Sequence, residues 1–291
     1  MSTKLTDLSG KEYEVRPEVL NYDDLRKMAP FLDGHPKLVK HLMHWLEMDE
    51  VNRVHSSLSD TPGPEFVRRL VEDDLDLKLR VDNEQQLDHL PQGAFITISN
   101  HPYGALDGII LIYLLAKRRP KFRVMVNMIL NQLSAMRPNF IAVDAWQSDD
   151  PDKRKVSVDG IRQTLKQLKN GDPMGFFPAG AMSKINWKYE QIDREWQPTV
   201  LQIIQKAKVP ILPIFFHGGN SLWCNILGHV CWPARSLRIP AEIFRRRHTE
   251  IHISVGDVIS VEEQLKHEST LKEFGDFLRT KTYDLKRSYP K

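Results

Sequence analysis

Hydrophobic and polar positions follow two rhythms along this chain, and the change between them falls near residue 80. Before it, apolar residues recur at helical spacing: Leu38, Leu42, Trp45 and Leu46, then Phe66, Leu70 and Leu77. Residues 17–79 therefore read as helical, interrupted at Ser59-Asp60-Thr61-Pro62-Gly63-Pro64, where prolines and a glycine stop a helix. After it, short apolar runs alternate with helical patterns. The runs predict strands over 94–98, 122–126, 140–143, 174–177, 209–216 and 251–255. Between them, helices are predicted over 106–116, 156–168, 199–207 and 271–287, with a short helical piece ending at Met136. In the second of these, Val158, Ile161, Leu165 and Leu168 mark the expected buried face.

Wholly apolar strands alternating with helices indicate an α/β fold: a largely parallel sheet flanked by helices. The expected organisation is an N-terminal helical subdomain, 1–79, followed by a sheet domain, 80–291. Ligands of such sheets collect at the C-terminal ends of the strands. That rule gathers Asn100-His101, residues 178–184 and residues 217–221 on one rim.

Composition narrows the classes without selecting one. Across 291 residues, 41% are hydrophobic and 27% charged, which sets aside collagen-like, disordered and disulfide-framework chains. A net charge of +3 is too small to imply nucleic acid. Local basic clusters, Lys117-Arg118-Arg119 and Arg245-Arg246-Arg247, fit anionic headgroups or an acidic carrier, and equally fit solvated helix ends. Cys224 and Cys231 form no metal-ligand pattern and suit a reducing compartment. Eleven histidines give no ligand spacing either, so no metal site is expected. The N-terminus lacks a signal-like apolar core, and the apolar runs fall far short of the roughly 20 residues a spanning helix needs. The expected location is cytoplasmic, peripherally associated with the inner face of the membrane.

Chemistry concentrates in Asn100-His101-Pro102-Tyr103-Gly104-Ala105-Leu106-Asp107-Gly108. A histidine at a strand end precedes a Pro/Gly turn, and an aspartate opens the next helix. The turn lets the carboxylate reach back to the imidazole, fix its tautomer and stabilise the imidazolium formed when it accepts a proton. Read alone, the pair also fits a turn-stabilising contact. No serine or cysteine in this block reads as an activated nucleophile, so an acceptor's own hydroxyl or amine would attack directly, with rim glycines offering backbone donors to the oxyanion.

Three blocks over residues 93–260 resemble the glycerolipid (lysophospholipid) acyltransferases, and within them the hemolysin-like branch linked to ornithine- and glycine-lipid acylation. Ser99 through Gly108 is similar to that branch's Asn-His-Pro-x-Gly-x-x-Asp-Gly signature. Gly175-Phe176-Phe177-Pro178-Ala179-Gly180-Ala181-Met182-Ser183-Lys184 is similar to a Phe-Pro-Glu-Gly-Thr-Arg-Ser block, and Val209-Pro210-Ile211-Leu212-Pro213-Ile214-Phe215 to a Val-Pro-x-x-Pro-Val strand. The resemblance implies His101 as general base and Asp107 as its orienting partner. It places Asn100, Gly104, Phe177, Pro178, Gly180, Ser183 and Lys184 at the substrate. It also implies an acyl-CoA or acyl-ACP co-substrate, no bound cofactor, and a lyso-lipid hydroxyl as acceptor. Five residues separate His101 from Asp107, as in that branch, where most of the superfamily has four. Ala179 and Met182 stand where the wider family has glutamate and arginine, which weakens the case for lysophosphatidic acid as acceptor.

Three further readings stay open at this level: N-acylation of an amino acid or amine, hydrolysis of the thioester, and non-catalytic lipid binding on a retained scaffold. His217-Gly218-Gly219-Asn220-Ser221 reads as a glycine turn or a set of substrate donors. Residues 222–232, bearing Trp223 and Trp232, read as a covering helix or a membrane-facing lip, with Arg235, Arg238 and Arg245–Arg247 meeting anionic lipid.

Overall fold

The computed structural model describes residues 4–6, 10, 12–28, 33–144, 151–186, 190–230, 235 and 238–288. Strands β1 (Lys4–Thr6) and β2 (Glu12–Glu14) pair as a small hairpin. The central sheet uses β3 (Lys78–Asp82), β4 (Ile96–Ser99), β5 (Arg123–Asn127), β6 (Phe140–Val143) and β7 (Met174–Phe176). A second hairpin, β8 (Lys184–Ile185) with β9 (Gln191–Ile192), precedes the last two sheet strands, β10 (Ile211–Phe216) and β11 (Glu250–Val255). The sheet has seven strands in the order β3-β11-β10-β4-β7-β5-β6. From β10 to β6 every pairing is parallel.

The helices are α1 (Tyr22–Met28), α2 (Pro36–Trp45), α3 (Met48–Leu58), α4 (Pro64–Arg69), α5 (Ala105–Ala116), α6 (Pro151–Lys169), α7 (Pro198–Ala207), α8 (Leu222–Val230), α9 (Ile239–Phe244), α10 (Val261–Leu265) and α11 (Leu271–Ser288). Helix α5 is apolar almost all round because it is enclosed on both sides. Ile110, Leu111 and Leu115 share one core with Phe216 and Ile253 of the sheet and with Phe66, Val67 and Leu70 around α4. On the other side of the sheet, Ile204 of α7 and Phe274 and Leu278 of α11 pack with Ile96 and Ile98. The α/β class and parallel sheet stand as the sequence indicates. The division drawn at residue 79 falls inside β3, and helices α3 and α4 before it feed the same core as α5, while α1 and α2 pack on each other in a separate cluster.

Four expectations need correction. First, β11 runs antiparallel to β10 and parallel to β3, a strand the sequence reading left out. The chain after β10 stays at the rim, where Ser221 bonds Glu242 of α9, so β11 sets out from the rim end. Second, α2 buries Val39, against Leu25 of α1, and not Leu38 or Trp45, which stay exposed. The Trp45 ring carries the Arg238 guanidinium at 5.2 Å instead. Third, Val158 and Leu165 of α6 are exposed, while Gly160, Thr164 and Gln167 face inward with Leu168. Fourth, the basic clusters largely bind the protein itself. Arg118 pairs with Asp88 at 2.7 Å, Arg119 donates to the carbonyls of Gly93 and Gly171, and Arg247 bridges Asp74 and Glu50 at 2.6 Å each.

Gly160 explains the face that α6 presents. A Cβ there would lie 2.4 Å from the Ala142 carbonyl oxygen on β6, so the helix approaches the sheet through a residue with no side chain. Alanine gains about 1 kcal/mol of helix propensity over glycine, yet the clash is with backbone and cannot relax by rotamer. Gly160→Ala is expected to destabilise the protein by about 1–3 kcal/mol in denaturant unfolding; a neutral or stabilised variant would contradict this packing.

Candidate active site

Because β10, β4 and β7 are parallel neighbours, their C-terminal ends form one rim and gather the three predicted loops. Asn100 is buried there and fastens two strands together. Its Nδ2 donates to the Phe216 carbonyl at 2.8 Å, and the Phe216 N–H donates to its Oδ1 at 2.7 Å. The side chain is therefore scaffold, and no longer offers those groups to a substrate.

His101 follows, and Pro102-Tyr103-Gly104 turn the chain into α5. Gly104 has φ +76, and a Cβ on it would meet Met182 Sδ at 2.6 Å. Both conformation and space demand glycine at this position. Asp107 is the third residue of α5 and fully buried. Its Oδ2 accepts the N–H groups of Tyr103 and Gly104, each at 2.9 Å, which satisfies donors the helix start leaves open. The same oxygen lies 3.0 Å from His101 Nδ1. It sits off the line of the ring N–H, so the approach is close but bent; such contacts often straighten only when substrate is bound. Burial pushes the Asp107 carboxyl above the usual carboxylate range, against the pull of His101 and the two backbone donors. Phe177 stacks on the imidazole with centroids 4.1 Å apart and planes 25° from parallel. The ring keeps about 18% exposure.

The segment after β7 closes on this loop. Ser183 donates its N–H to the His101 carbonyl at 2.9 Å and its hydroxyl to Asp193 Oδ1 at 2.5 Å. That same Asp193 oxygen receives the His101 N–H at 3.2 Å. Pro178 is buried with its carbonyl on the Gln197 N–H, and Gly180, at φ +64, faces the Gln197 side chain. Lys184 is exposed on β8. From the third loop, Tyr103 Oη donates to the His217 carbonyl at 2.8 Å and the Asn220 N–H reaches the Pro102 carbonyl at 3.4 Å. The structure thus joins His101, Asp107, Gly104, Phe177 and Ser183 in one network. Within it, the Gly104 N–H is held by Asp107 and the Gly180 N–H by the Phe177 carbonyl.

Sequence reasoning missed three buried polar groups near this rim. Asp193 is one; burial pushes its carboxyl up, and its Oδ2 has no hydrogen-bond partner among the described residues. No spacing pattern marks it, because it meets His101 only through folding. Arg235, which the membrane-lip reading set against anionic lipid, is 2% exposed and therefore interior. The third is a network around β11. His252 Nε2 meets Asp82 Oδ2, Ser254 Oγ donates to that oxygen at 2.9 Å, and His217 Nε2 lies 2.7 Å from Ser254 Oγ. The alternation of His252 and Ser254 on one strand face was the available signal. Ligand atoms of Asp82, His217 and His252 lie within 4.8 Å of one another. Yet the two imidazoles stack at 3.9 Å and 9°, so their nitrogens point side by side and do not converge, and each Nε2 already has a partner. The group is a hydrogen-bond network.

The chain is similar to several known proteins. A family model described as Acyltransferase matches residues 25–290. The chain is 27% identical over 230 residues to a lyso-glycine lipid O-acyltransferase of Bacteroides thetaiotaomicron, covering 76% of this chain and 80% of that one. It is 26% identical over 230 residues to the lyso-glycine lipid O-acyltransferase of Phocaeicola vulgatus, covering 76% and 78%. Among solved structures it is similar to the 1-acyl-sn-glycerophosphate (LPA) acyltransferase PlsC from Thermotoga maritima, with TM-score 0.49 and 14% identity over 94% of this chain and 90% of that one.

The raised pKa of Asp107 has a consequence for stability. Burial disfavours the ionised form in the fold, so its stabilising contribution is complete below the unfolded carboxyl pKa of about 4 and declines as pH rises. Asparagine keeps an oxygen for the two backbone donors without the charge. The Tm of Asp107→Asn is expected to match the wild type near pH 4, to gain on it as pH rises toward the raised folded pKa of Asp107, and to hold that gain above it. A difference that is flat across this range would refute the assignment.

Proposed function

Because this chain belongs to the acyltransferase family, we propose that it carries a fatty acyl group from an acyl thioester, on coenzyme A or acyl carrier protein, to the hydroxyl of a lyso-lipid acceptor. The observation that carries the reading is the His101–Asp107 pair: an imidazole that keeps a small exposed edge at the strand rim, backed by a carboxylate buried at a helix start. Asp107 at Nδ1 leaves Nε2 to take the acceptor's proton. The acceptor oxygen then attacks the thioester carbonyl to give a tetrahedral intermediate. Collapse breaks the C–S bond, and the departing thiolate recovers the proton from the imidazolium, so His101 ends neutral. Ser183 is 1% exposed, enclosed with its hydroxyl in the contact that joins the loops, and burial holds the Cys224 thiol up, so neither is presented as a nucleophile for an acyl-enzyme.

The two bacterial relatives, named for lyso-glycine lipids, favour an amino-acid lipid as the acceptor. Their names also favour ester over amide formation, which sets the N-acylation reading second. A lipid acceptor favours reaction at a membrane surface. No helix among the described residues is long and apolar enough to cross a membrane. Helix α8 instead exposes Leu222, Trp223 and Ile226 on adjoining positions, with Trp223 65% exposed. This stripe suits the interfacial layer, where tryptophan is favoured; Trp232 and Cys231 lie outside the described residues.

Two experiments test this reading. With labelled acyl-CoA or acyl-ACP and a panel of lyso-lipids, the wild type is expected to form an alkali-labile product, and His101→Ala or Asp107→Asn to lose about 10²–10⁴-fold in rate. Full activity in folded His101→Ala, or a product that survives mild alkali, would defeat the proposed chemistry. In flotation with anionic vesicles, Trp223→Ser is expected to lower the bound fraction several-fold; unchanged flotation of the folded variant removes the docking role of α8.

A further inference from the structure

Arg235 is a charged side chain placed where the described fold gives it no opposite charge. It is 2% exposed. Its Nη2 donates to the Ser183 carbonyl at 2.8 Å and lies 3.4 Å from Asn225 Oδ1, and its side chain also meets the Cys224 thiol. All three partners are neutral, since burial holds the thiol protonated. Its Nε is buried without a hydrogen-bond partner among the described residues. Among the described residues Arg235 forms no ion pair. Glu242, whose charge reaches it, keeps its oxygens on the N–H and hydroxyl of Ser221 at 2.7 and 2.8 Å. Arg194 adds a second positive charge to its surroundings.

A guanidinium removed from water and left with neutral partners is destabilising. A fold that keeps one ordinarily supplies an anion, and arginine's planar fork matches a carboxylate in particular. The passage for this side chain is built in: a Cβ at Gly228 of α8 would lie 2.4 Å from Arg235 Cδ. Ser183 fixes where the cation stands relative to the reacting group. Its N–H bonds the His101 carbonyl and its own carbonyl bonds Arg235. One residue and two hydrogen bonds place the guanidinium within roughly 10 Å of the His101 backbone.

We propose that Arg235 anchors the carboxylate of an anionic, amino-acid-type acceptor while the acceptor's hydroxyl lies at His101. This deepens the proposed function and rests on it for the reacting hydroxyl. Glycine carries no hydroxyl, so in a glycine lipid the acylated oxygen belongs to the chain. A chain joined through nitrogen leaves the carboxylate free to meet a cation. The arrangement reads the head by charge, with Arg235 as the specificity residue and Arg194 as a weaker, exposed contributor to the same field.

The test is direct binding, because binding does not depend on turnover. N-octanoylglycine, which lacks a hydroxyl and cannot be acylated, is titrated calorimetrically against the full-length protein beside its methyl ester, which lacks the charge. The wild type is expected to bind the acid at least about tenfold more tightly than the ester. Arg235→Gln is expected to abolish that preference by weakening the acid alone, and Arg235→Lys to keep part of it, retaining the charge without the fork. Equal binding of acid and ester by the wild type, or no binding of either, overturns the proposal and needs no folded variant. So does an acid preference that survives in Arg235→Gln. If the preference depends on Arg235 while lyso-glycine lipid is not acylated, the subsite stands and the proposed transfer reaction falls.

Discussion

The rim is organised by one oxygen atom, Asp107 Oδ2, which takes the N–H groups of Tyr103 and Gly104 and stands 3.0 Å from His101 Nδ1. It joins the end of a strand, the turn after it and the first turn of α5. Its position explains the spacing along the chain: residues 102–104 turn by means of a positive-φ glycine, and the carboxylate on the third helical residue then faces back toward the strand end. Because the two backbone donors fix the carboxylate independently of the imidazole, the ring is aligned by a group that is itself immobile. A carboxylate on a free loop would lose that alignment to side-chain entropy.

Around this oxygen the three rim loops are tied to one another through backbone groups. Ser183 and Asp193 take the carbonyl and N–H of His101, Tyr103 reaches the His217 carbonyl, and Asn100 clamps the end of β10. Parallel order β10-β4-β7 is what makes this possible, since only parallel neighbours bring all three C-terminal ends to one edge. The cost falls on candidate binding groups. Asn100, Gly104 and Ser183 hold the scaffold with the atoms that a substrate would otherwise use, so the chemistry rests on fewer free groups than the motif suggests.

Much of this was legible because its signals are local. Buried strands such as Ile211–Phe216 declare themselves as apolar runs, and the His101–Asp107 block is read from nine consecutive residues. What escaped is set by contacts distant along the chain. Which face of α6 turns inward depends on how closely Gly160 allows β6 to come, and a glycine carries no hydrophobic signal. The direction of β11 depends on where α8 and α9 lie. Arg118, Arg119 and Arg247 read as free charge until Asp88, Gly93 and Asp74 are found beside them. Asp193 and Arg235 were invisible for the same reason, since a charged residue reads as surface until the fold encloses it.

That enclosure concerns three charges at once. Asp107, Asp193 and Arg235 are each less than one-tenth exposed, and each is displaced by burial toward its neutral form. Three buried ionisable groups linked through His101 and Ser183 are more than packing alone would retain, because apolar residues of similar volume often serve stability as well or better. Their arrangement differs in a telling way. Asp107 and Asp193 each accept two hydrogen bonds from the site's own backbone or hydroxyl groups, so their place is explained by the loops they hold. Arg235 supports one carbonyl and otherwise meets neutral groups with its Nε unpartnered among the described residues, so its charge is in excess of what its structural contacts require. A rim with two charges engaged in holding its loops and one left over is organised to receive something, and the charge left over indicates its sign.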